Sequence, residues 1–324
     1  MTNKTPDFLY LLDEKYFKLF KISSTILLTL HPSSQIFLYD VSPKPSLLLK
    51  DFSSKNKNIN YIFWPESLWL KSEWVDNLCF SYFYKNFSDQ LKYLSRKTRF
   101  RLFGQLKKTW IIDKKKFINY KKRICHIWAQ KAPCFLDCLS RTDRNIIFLD
   151  ADAFAWRQLH SIFLKDFDVA LTLRKLNDVR IGVDPYVKCK KALPYLAINA
   201  GVILMRNNPA SRQFIKCWME QIKLTHHFLI EQTALSSILF KADPDAFKTF
   251  EKTITIYRNS FETPVNVILL ECEKYNNTYI DRDLSFHEEE TYVVHLKKSL
   301  HGPEFLHLIE EKINKRIACI RKDL

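Results

Sequence analysis

Asp150 and Asp152, separated only by Ala151, follow directly on the apolar run Asn145-Ile146-Ile147-Phe148-Leu149. A short β-branched and aromatic run of this kind reads as a buried central strand. Alternate residues on extended backbone point the same way, so both carboxylates can reach one ion while Ala151 turns aside. In an open α/β sheet the carboxyl ends of the strands border the ligand crevice. Carboxylate oxygens at such an edge suit Mg2+ or Mn2+. Asp also opens many loops, and Asp281-Arg282-Asp283 repeats the Asp-x-Asp spacing. That second copy has no buried strand before it; position, not the tripeptide, carries the information. Cys134 and Cys138, with His126 upstream, are the other candidate metal group. Their four-residue spacing on an apolar helix reads instead as two buried thiols.

The elements that must position the two aspartates alternate along the chain. Phe8–Leu12 is of strand length, and a helix from about Tyr16 to Leu30 ends at His31-Pro32, where proline stops it. Ile36–Tyr39 and Tyr61–Trp64 are the next strands. A helix begins near Pro133, and strands are predicted at Asp168–Leu173, Leu196–Arg206, Lys252–Tyr257, Val265–Leu270 and Thr291–His295. Helices are predicted at Ala210–Lys223, Ile230–Phe240 and Pro303–Ile320, the last with Leu306, Ile309, Ile313, Ile317 and Ile320 on one side. Strand–helix–strand order with short connections implies a parallel, right-handed, doubly wound sheet. With no repeat and no linker, residues 1–324 read as one α/β domain, carrying a basic helical insertion at about 88–123 and a C-terminal amphipathic helix at 303–324.

Composition narrows the chemistry. Only 4 glycines occur, so no G-x-G-x-x-G and no G-x-x-x-x-G-K-[ST] can be written, and a bound diphosphate must be held mainly by metal and side chains. The net charge of +16 predicts attraction to anions, whether nucleic acid, an anionic membrane face or a phosphorylated substrate. Much of it lies between Lys92 and Arg123, where Tyr93, Phe100, Phe103, Trp110, Phe117 and Tyr120 are interleaved with the cations. Such a stretch serves an acceptor, a membrane or a nucleic acid, or is simply the solvated face of an amphipathic helix. No apolar run has spanning length, and residues 1–7 lack the layout of a signal peptide. The 8 cysteines, without zinc spacing, read as reduced thiols of a cytoplasmic protein, with a peripheral position on an anionic membrane open to the basic C-terminal helix.

Ile146–Asp152 resembles the strand and DxD motif of GT-A glycosyltransferases, and further landmarks follow in the order of the retaining, family-8-like members. Tyr10–Tyr16 resembles their first strand and nucleotide-binding turn. Ile198–Leu204 is similar to their Asn-Ala-Gly-Val strand, Glu231-Gln232 stands where they place Asp-Gln, and Tyr292–His295 is similar to the strand that delivers a third metal ligand. The resemblance runs from about residue 8 to 302, the basic insertion excepted.

It implies a single GT-A domain, with a mostly parallel central sheet flanked by helices. The implied activity is transfer of a hexose from a nucleotide diphosphate sugar, with a UDP-linked donor expected, to a glycan, glycolipid or protein acceptor, with retention of configuration. Mn2+ or Mg2+ would be held by Asp150, Asp152 and His295, with Asp150 also touching ribose. Leu12, Asp13 and Lys15 would lie near base and ribose, Asn199 and Ala200 at the sugar, and Gln232 under the anomeric carbon with Glu231 beside it. Lys131 is similar to the basic residue that the family aims at the donor, and Lys298 and His301 would reach the diphosphate. Lys15 stands where an Asn is common, Glu231 is one methylene longer than the usual Asp, and the family's His-Gly-Lys spacing is not kept after His295.

Elementary chemistry agrees with these roles. Departure of a nucleoside diphosphate leaves negative charge on the bridging oxygen, which a cation stabilises. An amide such as that of Gln232 is a poor nucleophile and better suited to stabilising a cationic transition state. Polar residues 174–194 read as a loop over the donor, which donor binding should protect from protease. Three rivals remain: a nucleic-acid-binding protein using residues 92–123, a two-metal phosphodiesterase, and a catalytically silent relative that only binds sugar nucleotides. The second would need another ligand cluster beside Asp150, and nucleic acid is the less expected partner.

Overall fold

The computed structural model describes residues 5–77, 114–174, 197–227, 229–259, 261–278, 280, 284–296 and 302–323. The described strands are β1 (Asp7–Leu12), β2 (Ile36–Asp40), β3 (Ile59–Phe63), β4 (Ile146–Leu149), β5 (Ala153–Ala155), β6 (Val169–Leu173), β7 (Ile198–Met205), β8 (Thr253–Ile256), β9 (Val265–Glu271) and β10 (Val293–His295). The described helices are α1 (Phe17–Leu30), α2 (Leu47–Ser54), α3 (Glu73–Asp76), α4 (Lys114–Ala129), α5 (Lys131–Arg141), α6 (Pro209–Leu224), α7 (Ile230–Ala242), α8 (Cys272–Tyr275) and α9 (Pro303–Asp323).

Strand alternation divides the core into two layers. Leu9 and Leu11 of β1, with Ile146 and Phe148 of β4, face the layer built from α5, α6 and α7. Phe8, Tyr10 and Leu12, with Ile147 and Leu149, face the layer built from α1, α9 and the β5–β10 region. Local signals set the helix ends. Asn208 caps α6 by accepting from Ser211 N at 2.9 Å, with Pro209 in the first turn. Ser46 caps α2 by accepting from Leu49 N, a helix the apolar pattern did not disclose.

The fold is α/β, with an eight-stranded sheet in the order β3-β2-β1-β4-β7-β6-β9-β8. It is mostly parallel: β3, β2, β1, β4, β6 and β9 run one way. This is the mostly parallel sheet expected, with two antiparallel strands: β7 runs against both β4 and β6, and β8 against β9. The physical reason lies in the connections. A parallel neighbour needs a crossover of a dozen residues or more, usually helical; the stretch between β8 and β9 is too short for one. A second departure is that β10 leaves the main sheet and pairs antiparallel with β5 in a two-stranded ribbon.

Two surface expectations can be followed in the described residues. The stripe Ile309, Ile313, Ile317 and Ile320 of α9 is buried in the protein's own core against α1, so those side chains are not available to a bilayer. No helix among the described residues is long and apolar enough to cross a membrane. Most of the basic stretch, residues 88–113 of the insertion expected at about 88–123, lies outside the described residues. Its far end is the helix α4, where Arg123 pairs with Glu66 at 2.6 Å, donates to Val41 O and lies over Trp69, and Lys122 donates to Asp76 O. Those cations are used within the fold.

Candidate active site

The sheet edge at the carboxyl ends of β1 and β4 collects the polar residues. Because the two strands are parallel neighbours, Leu12 and Asp13 leave the sheet on the side where Asp150 leaves it. The turn after β4 is held tightly: Asp150 N donates to Gly201 O at 2.9 Å, Ala153 N to Asp150 O at 2.9 Å, and Leu296 N to Asp152 O at 2.9 Å. Residues 150–153 form a turn and not the extended segment expected from the sequence; Ala151 is buried in the α1-side core, and the turn leaves the flanking carboxylates facing the crevice.

The ribbon brings in the third group. In the β5–β10 register His295 lies opposite Ala153, the residue after Asp152. His295 Nε2 is 3.2 Å from Asp152 Oδ1 and 3.8 Å from Asp150 Oδ2. One ligand atom from each of Asp150, Asp152 and His295 can be chosen so that all lie within 4.8 Å of one another, and no other such trio occurs among the described residues. Two carboxylate oxygens and one imidazole nitrogen make a donor set that fits Mg2+ or Mn2+. The backbone makes room for the set. A Cβ on Gly201 would lie 2.3 Å from His295 Cε1, 2.6 Å from its Nδ1 and 3.0 Å from Asp150 Oδ2, so only glycine lets the imidazole and carboxylate close over β7.

Behind the trio sits a buried cation. Lys131, in the first turn of α5, places Nζ 3.0 Å from Asp150 Oδ1, 3.6 Å from Glu231 Oε1 and 3.0 Å from Ala200 O. Burial works against the ammonium, but Asp150 and Glu231 outweigh it and its pKa rises above the ordinary lysine value. For Glu231 burial wins: its pKa is raised although Lys131 pulls it down, and its Oε2 is buried with no hydrogen-bond partner among protein atoms. The nearer carboxylate, Asp150, is thus the main counter-ion of Lys131. His295 is lowered by burial and raised more strongly by Asp152 and Asp150, for a net rise; a positive partner is what this cluster of carboxylates calls for.

The remaining sequence-predicted residues fall around this centre. Gln232, in the first turn of α7, accepts from Ala200 N at 3.4 Å. Asn199 is buried, its Oδ1 accepting from Gly201 N at 3.2 Å and its Nδ2 3.6 Å from Cys272 Sγ. Asp13 pairs with the half-exposed Lys15 at 3.0 Å, while its Oδ1 is buried without a protein partner. Lys298 and His301 lie outside the described residues, as do Lys297, the second Asp-x-Asp copy and nearly all of the 174–194 loop. Cys134 and Cys138 are buried thiols, and His126 is bound to Asp76 at 2.9 Å, so no metal group forms there.

Three site residues were given no role of their own from the sequence, although Tyr16 closes the Tyr10–Tyr16 motif. Tyr16 lies in the crevice, its pKa raised by burial and then by Asp152 and Asp13. Asn276 Oδ1 lies 2.8 Å from His295 Nδ1, and Thr172 of β6 lies behind it, 2.9 Å from Asn276 Nδ2. The only signal for Asn276 was a pair of asparagines after α8, which ordinarily marks a turn.

No protein-family model matches the chain, and neither does any curated protein sequence. Among solved structures, the galactosyltransferase LgtC in complex with donor and acceptor sugar analogues is 11% identical with a TM-score of 0.47, the match covering 97% of this chain and 95% of that one. The glycosyltransferase GlyE of Streptococcus pneumoniae TIGR4 is 11% identical with a TM-score of 0.48, over 98% of this chain and 63% of that one. The apo form of mouse xyloside xylosyltransferase 1 is 11% identical with a TM-score of 0.45, over 91% and 99%.

Proposed function

We propose that the chain is a metal-dependent glycosyltransferase that moves a hexose from a nucleotide diphosphate sugar, UDP-linked, to a glycan, glycolipid or protein acceptor with retention of configuration. The observation that carries this reading is the convergence of Asp150, Asp152 and His295, whose ligand atoms lie within 4.8 Å of one another, with Lys131, Glu231 and Gln232 directly behind them. Carboxylates alone would repel a diphosphate; with Mn2+ or Mg2+ held by the three side chains, the cation supplies a Lewis acid for the departing diphosphate.

The chain's own groups divide the rest of the work. Leu12, Asp13 and Lys15 border the crevice where β1 ends and receive the base and ribose. Tyr16 lies near enough to Asp152, Asp13 and Asp150 to feel their charge, and burial with those carboxylates keeps its hydroxyl neutral. Lys131 holds Asp150 in place and offsets part of its charge. Gln232 presents a neutral amide near Ala200, suited to stabilising positive charge at the anomeric carbon without forming a bond to it. Glu231, whose Oε2 has no protein partner, offers that oxygen to a sugar hydroxyl. Lys298 and His301 follow His295 closely enough in sequence to reach the diphosphate.

The test is hydrolysis of a panel of sugar nucleotides with Mn2+ present, since slow hydrolysis reveals the donor without an acceptor. One donor should be turned over, and Asp152→Asn should abolish that turnover while leaving the unfolding midpoint unchanged. A flat panel, with sugar nucleotide still bound, would replace transfer by a binding-only function.

A further inference from the structure

We propose that Asn276 is a positioning residue: it dictates which ring nitrogen of His295 carries the proton, and so keeps Nε2 open to a divalent cation shared with Asp150 and Asp152. The proposal rests on the metal-binding reading above and adds to it a residue on which that reading is silent.

The argument starts from the one group whose role cannot vary. The backbone carbonyl of Asn199 only accepts hydrogen bonds. It receives Thr172 Oγ1 at 2.7 Å and Asn276 Nδ2 at 3.3 Å. Thr172 spends its single proton there, so toward Asn276 its oxygen is an acceptor, and Asn276 Nδ2 donates to it at 2.9 Å. Turning the Asn276 amide over would set its oxygen against the Asn199 carbonyl, two acceptors facing each other in a buried place. The amide orientation is therefore decided by β7, not by His295.

With NH2 committed to that side, Oδ1 faces His295 Nδ1 at 2.8 Å. An amide oxygen cannot donate, so Nδ1 must bear the hydrogen. Neutral imidazole carries only one N–H, which leaves the lone pair on Nε2, the nitrogen that faces Asp152 at 3.2 Å. A cation set between them meets an acceptor atom and not a proton.

Asn276 is itself held firmly. Its N–H donates to Cys272 O at 3.0 Å, and its carbonyl accepts from Cys272 Sγ at 3.1 Å. His295 N donates to Asn277 O at 2.8 Å, tying the next residue to β10. Asn276 and Thr172 are fully buried, so solvent does not stand in for a lost partner. The same chain of bonds begins at Asn199, beside Gly201, so the strand assigned to the donor sugar and the metal-ligating histidine share one polar network.

The test is Mn2+ affinity, measured from the free Mn2+ signal in electron paramagnetic resonance, on wild type, Asn276→Ala and His295→Ala. Asn276→Ala should weaken Mn2+ by about 10- to 100-fold, with the nitrogen coupling from His295 to bound Mn2+ lost. Unchanged affinity and coupling in Asn276→Ala, with His295→Ala weakened, overturns the proposal and leaves the metal reading standing. Unchanged affinity in His295→Ala removes the metal reading and the proposal with it. Wild type alone supplies a check that needs no variant of Asn276 to fold: in Mg2+-loaded, 15N-histidine protein the His295 signal, identified by its absence in His295→Gln, should be the Nδ1–H form, and an Nε2–H form overturns the proposal.

Discussion

Replacing Gly201 with alanine sets a methyl carbon where the structure has a ring. The new Cβ would lie 2.3 Å from His295 Cε1 and 2.6 Å from Nδ1, against the roughly 3.5–4.0 Å at which carbon atoms pack comfortably. More than an ångström must be found somewhere. His295 cannot swing away freely, because Nδ1 is bound to Asn276 and its backbone pairs with Ala153. β7 cannot slide freely either, since it is buried along its length between β4 and β6. If the strand yields, overpacking costs about 1–3 kcal/mol. If the imidazole yields, the trio loses a ligand and Mn2+ affinity should fall by about 10-fold or more, equivalent to at least about 1.4 kcal/mol. We expect both in part: a melting temperature lower by several degrees without metal, and a weakened Mn2+ signal in paramagnetic resonance. A Gly201→Ala protein that matches wild type in both measurements would refute the claim that this glycine is required by the approach of His295 and Asp150.

Other outcomes follow from the charges. Lys131→Met leaves the buried Glu231 without its cation, at a cost of about 3–5 kcal/mol in chemical unfolding; adding Glu231→Gln should restore part of this, because Asp150 keeps access to solvent and Glu231 does not. No restoration in the double variant would show that Lys131 acts by packing alone. His31 is buried, accepts from Leu159 N through Nε2, and has its pKa lowered by burial from 6.5 to about 4. Its neutral form is favoured on folding, so its contribution is whole above pH 6.5 and declines as the unfolded chain takes up a proton that the folded one refuses; below pH 4 about 3 kcal/mol is lost. Unfolding free energies of wild type and His31→Gln should therefore differ in slope between pH 6.5 and 4, and parallel curves would contradict the assignment.

Much of this protein was written locally. Phe8–Leu12 and Ile146–Leu149 are apolar on both faces and read as strands, the second as a central one, and β1 and β4 are neighbours at the middle of the sheet. Pro32 marks the end of the first helix in the sequence and in the structure alike. Asp150 and Asp152 could be picked out because a carboxylate pair after a buried strand has few uses. The basic stretch was legible as charge but not as a surface, since charge alone does not tell which cations, like Arg123, are spent on Glu66 and Trp69.

What tertiary structure alone decided was who stands next to whom. Side-chain period tells which face of a strand is buried, but not the direction or identity of its neighbour, because pairing is set by the connections and by contacts distant in sequence. Hence the reversal of β7 and β8, and the departure of β10 to pair with β5, could not be read from their residues. That departure carries His295 to Asp152. It also lays Asn276 against the ring, where a residue that the sequence presents as a turn asparagine meets a carbonyl from β7 and a hydroxyl from β6. Hydrogen-bond partners of this kind leave no local pattern, since a donor and its acceptor need only meet in space.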